Sequence, residues 1–593
     1  MTAMPDQKDY KAAARDFCLN ETQFHLGVIP TEQSNPLTRG LSQTIQRDTA
    51  EGVRTLLKAD HDIARVALEC FASDAFRRMV ADLRRAMEEG RKILISSVGA
   101  SGRLALQLDA TWRRFWTRQA PKLPLRAAEF IRLRELSDSL MTGGDRAVAR
   151  SVENFEDYMT FGARQVRDAG VGPGDVALIL SECGLSASVN GSAVEADKLG
   201  LSTYYLYCNP NEILCEHLER CRKVFERERI VKIPLYVGNM AVAGSTRMQV
   251  TTVELLVAGA AQEMAIASWM DDHLTPDERA VVGASALTGR EYAGMFESLV
   301  SQLSSGEALS GLARILDYEA DTYAANGLIT YLAHDYLQDI TTDTTERQPT
   351  FTLPPFRKSN DNESPVSWAY AKDPTMPASV AWQHILHRPV KGLDWTRDDY
   401  AAMGAAQSII DNPPSVGSGE LDYYRIGWER DDSRVSRHPA RLVWVDINGQ
   451  TTTPAPNAPD DLTAGFDGQV RLRLGSVNPS GGTGGVECID IPATLPRSPL
   501  DLSTHLMVKL VFNTMSTGAM AKIGRVWSNW MIQVLPTNKK LIDRSTRVIA
   551  ELAGIPYEQA CEEFYKSYLG RDPGETYRES YVVETLRRLG VGG

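Results

Sequence analysis

The sequence predicts an α/β chain of two doubly wound, flavodoxin-like parallel-sheet domains followed by an all-helical region, and three observations carry that expectation. An apolar strand, Ile93–Ser97, stops at Val98-Gly-Ala-Ser-Gly-Arg103, and a helical run begins at once from Leu104. The same strand, small-residue loop and helix recur at 175–181, 182–188 and 193–199, and such alternation builds parallel sheets. The chain has 593 residues, well beyond the roughly 250–300 at which single cores stop growing, so two or three domains are expected.

Residues 1–30 read as an arm leading into Thr31-Glu-Gln-Ser-Asn-Pro36, and from about 48 to 90 apolar residues fall three and four apart, as on helices. Gly90 closes that run before the first strand. The second strand is entered through Gly172-Pro-Gly174, and a third, 203–208, closes at Asn209-Pro210. A long helix is expected over 252–264, a helix-rich stretch over 280–345 and a Pro/polar segment over 350–365. Strand-like runs return at 441–446 and 469–474, Asn478-Pro-Ser-Gly-Gly-Thr-Gly-Gly485 reads as a flexible loop, and the chain from 501 onward reads as helical to its end. The expected division is an arm (1–47), a first sheet domain (48–274), a second, divergent one (275–504) and a helical cap (505–593).

Hydrophobic content of 43% and charged content of 24% suit a globular chain with a sizeable core. A net charge of −12 argues against nucleic acid or an anionic membrane as partner, both of which want a basic face. It leaves room for a small anion, which a few N–H groups and one or two cations hold locally. The eight cysteines (18, 70, 183, 208, 215, 221, 488 and 561) form no C-x-x-C pair and read as reduced thiols. Among nine histidines, His384 and His387 alone have a paired spacing, and two ligands fall short of the three or four a metal site needs, so neither metal nor cofactor is expected. Residues 1–20 lack an apolar signal region and no run of 18 apolar residues occurs, which predicts a cytoplasmic protein.

The loops carry the chemistry. A strand that ends in Ser/Thr/Gly residues with a helix beginning immediately offers free N–H groups and hydroxyls to a phosphate, and loops after successive strands open on the same carboxyl edge of a sheet. Gly99, Ser101, Gly102 and Arg103 form one candidate loop, Gly184 and Ser186 a second, and Ser245 and Thr246 a third. Helix capping is the competing use of the same serines.

Taken together, Thr31-Glu-Gln-Ser-Asn-Pro36, Gly99-Ala-Ser-Gly-Arg103, Gly143-Gly-Asp-Arg146, Glu156-Asp157, Cys208-Asn-Pro210 and Gly244-Ser-Thr-Arg247 resemble, in order, the N-acetylmuramic acid 6-phosphate etherases and the related glucokinase regulatory proteins. Asn513-Thr-Met-Ser-Thr-Gly518, Gly524-Arg-Val-Trp-Ser-Asn529 and Asn538-Lys-Lys-Leu541 extend the match. The likeness covers about 1–270 and 505–560, and the long insert between them fits the regulatory-protein plan. It implies two sugar-isomerase (SIS) domains in one chain, an internal pseudo-dimer under a C-terminal helical cap, whose further oligomeric state stays open.

The resemblance also implies the ligand, a hexose 6-phosphate or N-acetylmuramic acid 6-phosphate, and two alternatives for its fate. One is binding by a regulator or sensor, with a sugar kinase as a partner. The other is catalysis by a lyase (etherase) or aldose–ketose isomerase with Glu156 as general acid/base. Etherases use a second glutamate about a dozen residues after the Ser-Gly-Arg loop. Here Leu108-Asp-Ala-Thr-Trp112 puts a tryptophan there, leaving Asp109 as the weak substitute. Glu182 is a second departure, because the family has a small residue there and a carboxylate repels phosphate. Lys540 matches a lysine that the family reaches in from the cap.

Overall fold

The computed structural model describes residues 9–152, 154–283, 285–477, 485–571 and 579–591. Residues 478–484 of the expected flexible loop therefore lie outside the described residues.

Two five-stranded sheets, every pairing parallel, form the framework. The first contains β1 (Ile93–Ser97), β2 (Ser137–Met141), β3 (Val176–Ser181), β4 (Ser202–Tyr207) and β5 (Val231–Pro234), in the order β2-β1-β3-β4-β5. The second contains β6 (Leu328–Leu332), β7 (Ala369–Lys372), β8 (Ala440–Ile447), β9 (Gly468–Gly475) and β10 (Glu487–Pro492), in the order β10-β9-β8-β6-β7. Read from the other edge, the second order repeats the first, and each sheet reverses its winding beside its own first strand. The expectation of two doubly wound α/β sheets holds.

The sequence pattern found β1, β3, β4, β8 and β9, of which β1, β3, β4 and β8 are buried almost throughout, as strands covered on both faces are. The edge strands escaped it. β2 alternates buried and half-buried positions over a polar Ser-Asp-Ser start, and β7 is only four residues long. β6 lies inside the stretch 280–345 that was expected to be helix-rich. The expectation of continuous helix after 501 is also corrected: Val526–Trp527 pairs antiparallel with Trp530–Met531, turning at Ser528 with φ of +53°.

One continuous apolar core joins both sheets, with Gln249–His273 and Leu502–Lys522 at its centre. Both helices are apolar all round, as helices buried on every side are. Gln249–His273 is long and apolar enough to cross a membrane, but Val253, Leu256, Val257 and Ala260 are fully buried within the protein. A separate core joins Tyr10–Asn20 of the arm to Lys539–Ala553, Tyr557–Gly570 and Tyr581–Arg588, where Ala14 and Phe17 pack with Ile549 and Phe564. The arm is thus docked on the C-terminal helices.

Candidate functional site

The carboxyl ends of β1, β2 and β3 open into a cavity of about 280 Å³, roofed by residues 531–544 and walled by 346–352. Gly99 leaves β1 with φ of +60°, a left-handed turn that glycine adopts without strain, and the helix Gly99–Gln119 starts there. At Gly102 a Cβ would approach Met141 Cγ to 2.9 Å, so a side chain there would push the helix off β2.

The first loop does not stand empty. The Ser101 N–H donates to Glu182 Oε1 at 3.0 Å, and Thr246 Oγ1 donates to Glu182 Oε2. A carboxylate of the second loop thereby occupies the helix N-terminus that the sequence offered to a phosphate. Ser101 Oγ in turn donates to Glu254 Oε2, a residue of the buried helix behind it. Burial pushes the Glu182 carboxyl up, against its bonds to Thr246 and Ser101, and Glu346 adds to the rise. Burial and the nearby Glu182 push Glu254 up further.

Of the residues picked from the sequence, Gly99, Glu156, Ser186 and Lys540 line the cavity. The others stand behind it. Arg103 is fully buried and donates to Glu346, to Thr345 Oγ1 at 2.9 Å and to the Val148 carbonyl at 3.1 Å, so it joins β1 to the wall instead of facing a ligand. Gly102, Gly184, Ser245 and Thr246 are not on the cavity surface. Asp109, the candidate substitute acid, lies elsewhere: it pairs with Arg113 at 2.9 Å and Arg388 at 3.1 Å and accepts from Ser139 at 2.9 Å. Burial would raise its pKa, but the two guanidinium groups hold it below the usual range. Trp112 is fully buried, its indole N–H donating to the Leu133 carbonyl at 2.9 Å, and puts no polar group into the cavity.

Glu156 sits in the short turn Phe155–Asp157. Phe155 stacks on Trp395 with ring centroids 6.2 Å apart and meets Phe161 at 4.9 Å, and Tyr400 closes the cluster. The turn that presents Glu156 is therefore held by residues from the second half of the chain. Beside it, Asp145 of the Gly143-Gly-Asp-Arg146 run accepts from Arg388 at 2.6 and 2.9 Å and from the Lys391 N–H at 2.6 Å. No local pattern in the sequence marks Trp395, Tyr400 or Arg388 as belonging to the site.

Lys540 enters from the second residue of the helix Lys539–Ala553 and makes no ion pair within 4 Å among the described residues. Burial opposes its charge, but Glu156 and other nearby acidic groups more than offset that, so its pKa is raised. Opposite it, Ser186 begins the helix Ala187–Lys198 with its hydroxyl making no capping bond. Arg544, one turn after Lys540 on the same helix, is committed to Glu32 of the arm, at 2.9 and 2.6 Å. Asn538 of the Asn538-Lys-Lys-Leu541 run also lines the cavity, and Gln348, Thr350, Gln533 and Thr537 complete a polar lining that the sequence reading did not single out.

The remaining motifs interlock. Thr31 N–H donates to Asn209 Oδ1 at 3.2 Å, and Ser34 Oγ donates to Asn529 Oδ1 at 2.8 Å. Arg247 reaches Asp343 at 2.9 Å, Ser516 Oγ at 2.9 Å and Thr517 Oγ1 at 2.5 Å. The short polar sequences at 31–36, 208–210, 244–247, 513–518 and 524–529 are thus the joints that close the C-terminal segments over the first sheet.

Two doubly wound sheets in one chain, with a polar cavity at the carboxyl edge of the first, define a protein of the SIS-domain class. Residues 76–196 match the glucokinase regulatory protein N-terminal SIS domain. The N-acetylmuramic acid 6-phosphate etherase of Aliivibrio fischeri (strain MJ11) is 27% identical over 239 residues, 40% of this chain and 68% of that enzyme. The enzyme of the same name from Listeria welshimeri is 32% identical over 161 residues, 26% of this chain and 48% of that one. Among solved structures, the C-terminal domain of glucosamine-fructose-6-phosphate aminotransferase from Francisella tularensis aligns with 79% of this chain and 95% of its own, at 10% identity and a TM-score of 0.42. Residues 76–196 thus carry a SIS domain of the glucokinase regulatory protein type, and the chain is similar to the N-acetylmuramic acid 6-phosphate etherases over 40% of its length.

Proposed function

We propose that this chain binds a sugar phosphate in the cavity at the carboxyl edge of the first sheet, as a cytoplasmic regulator or sensor and not as an etherase. The observation that carries the reading is Lys540, an ammonium with no ion-pair partner among the described residues, standing in the cavity with Ser186 at the start of the helix Ala187–Lys198. A cation and a helix N-terminus together suit a phosphate. Because Glu182 fills the first loop, the phosphate goes to the Ser186 and Lys540 side, and Glu156 is left to accept hydrogen bonds from sugar hydroxyls.

Elimination of lactate needs a base at C2 and an acid at the leaving oxygen. Trp112 supplies neither, and Asp109 is locked in ion pairs. A regulator of this kind would report the bound hexose phosphate to a partner such as a sugar kinase. The second reading, a lyase or isomerase, is favoured by one observation, the Glu156 carboxylate on the cavity wall, where a single acid/base could serve an aldose–ketose exchange.

The test is incubation in deuterated water with fructose 6-phosphate and, separately, N-acetylmuramic acid 6-phosphate. Calorimetric binding of either with no deuterium at C2 is the expected result. Deuterium incorporation, abolished in Glu156→Gln, would replace the binding reading with the enzymatic one. Absence of binding to both would remove these two ligands.

A further inference from the structure

The second sheet has a cluster of its own at the equivalent edge. His334 lies two residues beyond the end of β6, and Asp373 follows β7 directly, so the ends of two adjacent parallel strands bring them together. His334 Nδ1 and Asp373 Oδ2 are 2.9 Å apart. His384, on the helix Ala378–Leu386, lies against His334 with ring centroids 5.1 Å apart. One ligating atom from each of the three lies within 4.8 Å of the others. His387, next along the chain from that helix, stands 5.8 Å from His384 by ring centroids.

The arrangement is built, not incidental. Asp373 is fully buried, and its Oδ1 accepts from the Thr375 N–H at 2.7 Å and the Thr375 hydroxyl at 2.6 Å. That leaves Oδ2 to the imidazole. With Oδ1 pinned by Thr375, Oδ2 is held beside His334 Nδ1, so a carboxylate oxygen and an imidazole nitrogen stand at the mutual distance of two ligands on one ion. The three histidines line a cleft of about 140 Å³ that is distinct from the sugar-phosphate cavity and is bordered by Arg114, Arg118, Asp339 and His505. By strand order, β6 and β7 occupy in the second sheet the places of β1 and β2 in the first. The cluster therefore stands at the carboxyl edge of the second sheet, on the β7 side of the switch point between β6 and β8, the edge at which α/β folds receive ligands.

We propose that His334, His384 and Asp373 bind one divalent transition-metal ion of the zinc type at the mouth of this cleft, with a coordination position left open to the cleft. Two imidazoles and a carboxylate are the donors that borderline cations such as Zn²⁺ take, and three protein ligands leave a place for water or a small anion. The donor atoms lie within 4.8 Å of one another, close enough to be gathered onto one ion.

The test uses the full chain, stripped with chelator and titrated with ZnCl₂ by calorimetry and with CoCl₂ by visible absorption, with the eight thiols kept reduced. The expected result is one equivalent of tight binding and a Co²⁺ spectrum of four- or five-coordinate type without a thiolate charge-transfer band. His384→Ala and His334→Ala should each weaken the tight site by more than the roughly 10- to 100-fold that loss of an outer-shell partner costs, while His438→Ala, two residues before the amino end of β8, leaves it unchanged. Unaltered tight binding in both histidine variants, a thiolate band, or no stoichiometric binding to the wild type would overturn the proposal. If the variants misfold, the wild-type Co²⁺ spectrum and the histidine ring ¹⁵N shifts on Zn²⁺ addition decide alone: shifts confined to His334 and His384, or to those two and His387, support the site, and shifts elsewhere or none overturn it.

Discussion

Glu182 Oε1 accepts the Ser101 N–H at 3.0 Å, so the loop with the clearest anion-binding sequence in the chain is already satisfied by a carboxylate of its own protein. The relationship joins the ends of two neighbouring strands, β1 and β3, whose loops open on the same carboxyl edge of the sheet. It divides them instead: the first loop is closed by Glu182, and Ser186 of the second remains at the cavity surface.

Replacing that carboxylate should reopen the loop. Glu182→Ser removes a negative charge beside the cavity and frees the Ser101 N–H, and affinity for fructose 6-phosphate should rise about tenfold or more, since charge-assisted hydrogen bonds contribute roughly 1.5–3 kcal/mol. Calorimetry on the two proteins decides it; an unchanged or weaker affinity would show that Glu182 serves the ligand.

Lys540→Met keeps the length of the side chain and removes its charge. On the reading that Lys540 meets the phosphate, affinity should fall about 10- to 100-fold, with little change in Tm. Lys539, which pairs with Glu21 at 2.5 Å on the surface, is the control, and its methionine variant should bind as the wild type does.

Glu32 couples the arm to the cap. Burial alone would raise its pKa, but Arg544 and Arg547 hold it down at about 2. The unfolded chain binds the proton more readily than the folded one, so this stabilisation is complete above about pH 5 and is lost as pH falls towards 2. Glu32→Gln leaves the Arg544 guanidinium without its charge partner, while Arg547 keeps Asp543 at 2.8 Å, and should cost about 3 kcal/mol at pH 7. Thermal melts should show the deficit shrinking below pH 4, and a pH-independent deficit would point to lost packing instead.

Asp60 has the opposite sign. It is buried, neither carboxyl oxygen has a hydrogen-bond partner among the described residues, and burial raises its pKa to about 7, against a lowering by Lys509. The folded state holds the proton longer than the unfolded one, so stability falls as pH rises from about 4 to 7, by up to about 1.4 kcal/mol per pH unit. Asp60→Asn should remove that slope and raise Tm at pH 8 while changing little at pH 4. Equal effects at both pH values would contradict the assignment.

The sequence by itself determined the α/β class, the strands β1, β3, β4, β8 and β9 and the loop at 98–103, because each rests on residues adjacent in the chain. A buried parallel strand is a short apolar run, and a turn into a helix needs glycine or serine at set positions, so both are written locally. The edge strands β2 and β7 were not legible, since a short or half-polar segment becomes a strand through its neighbour's hydrogen bonds. Only the tertiary structure decided which motif residues face the cavity. Ser101, Arg103 and Asp109 look like ligands in one dimension, yet their partners Glu182, Glu346 and Arg388 lie 81, 243 and 279 residues away in the chain. Those partners determine whether each polar group is free for a ligand or is already satisfied by the protein, and no local pattern records them.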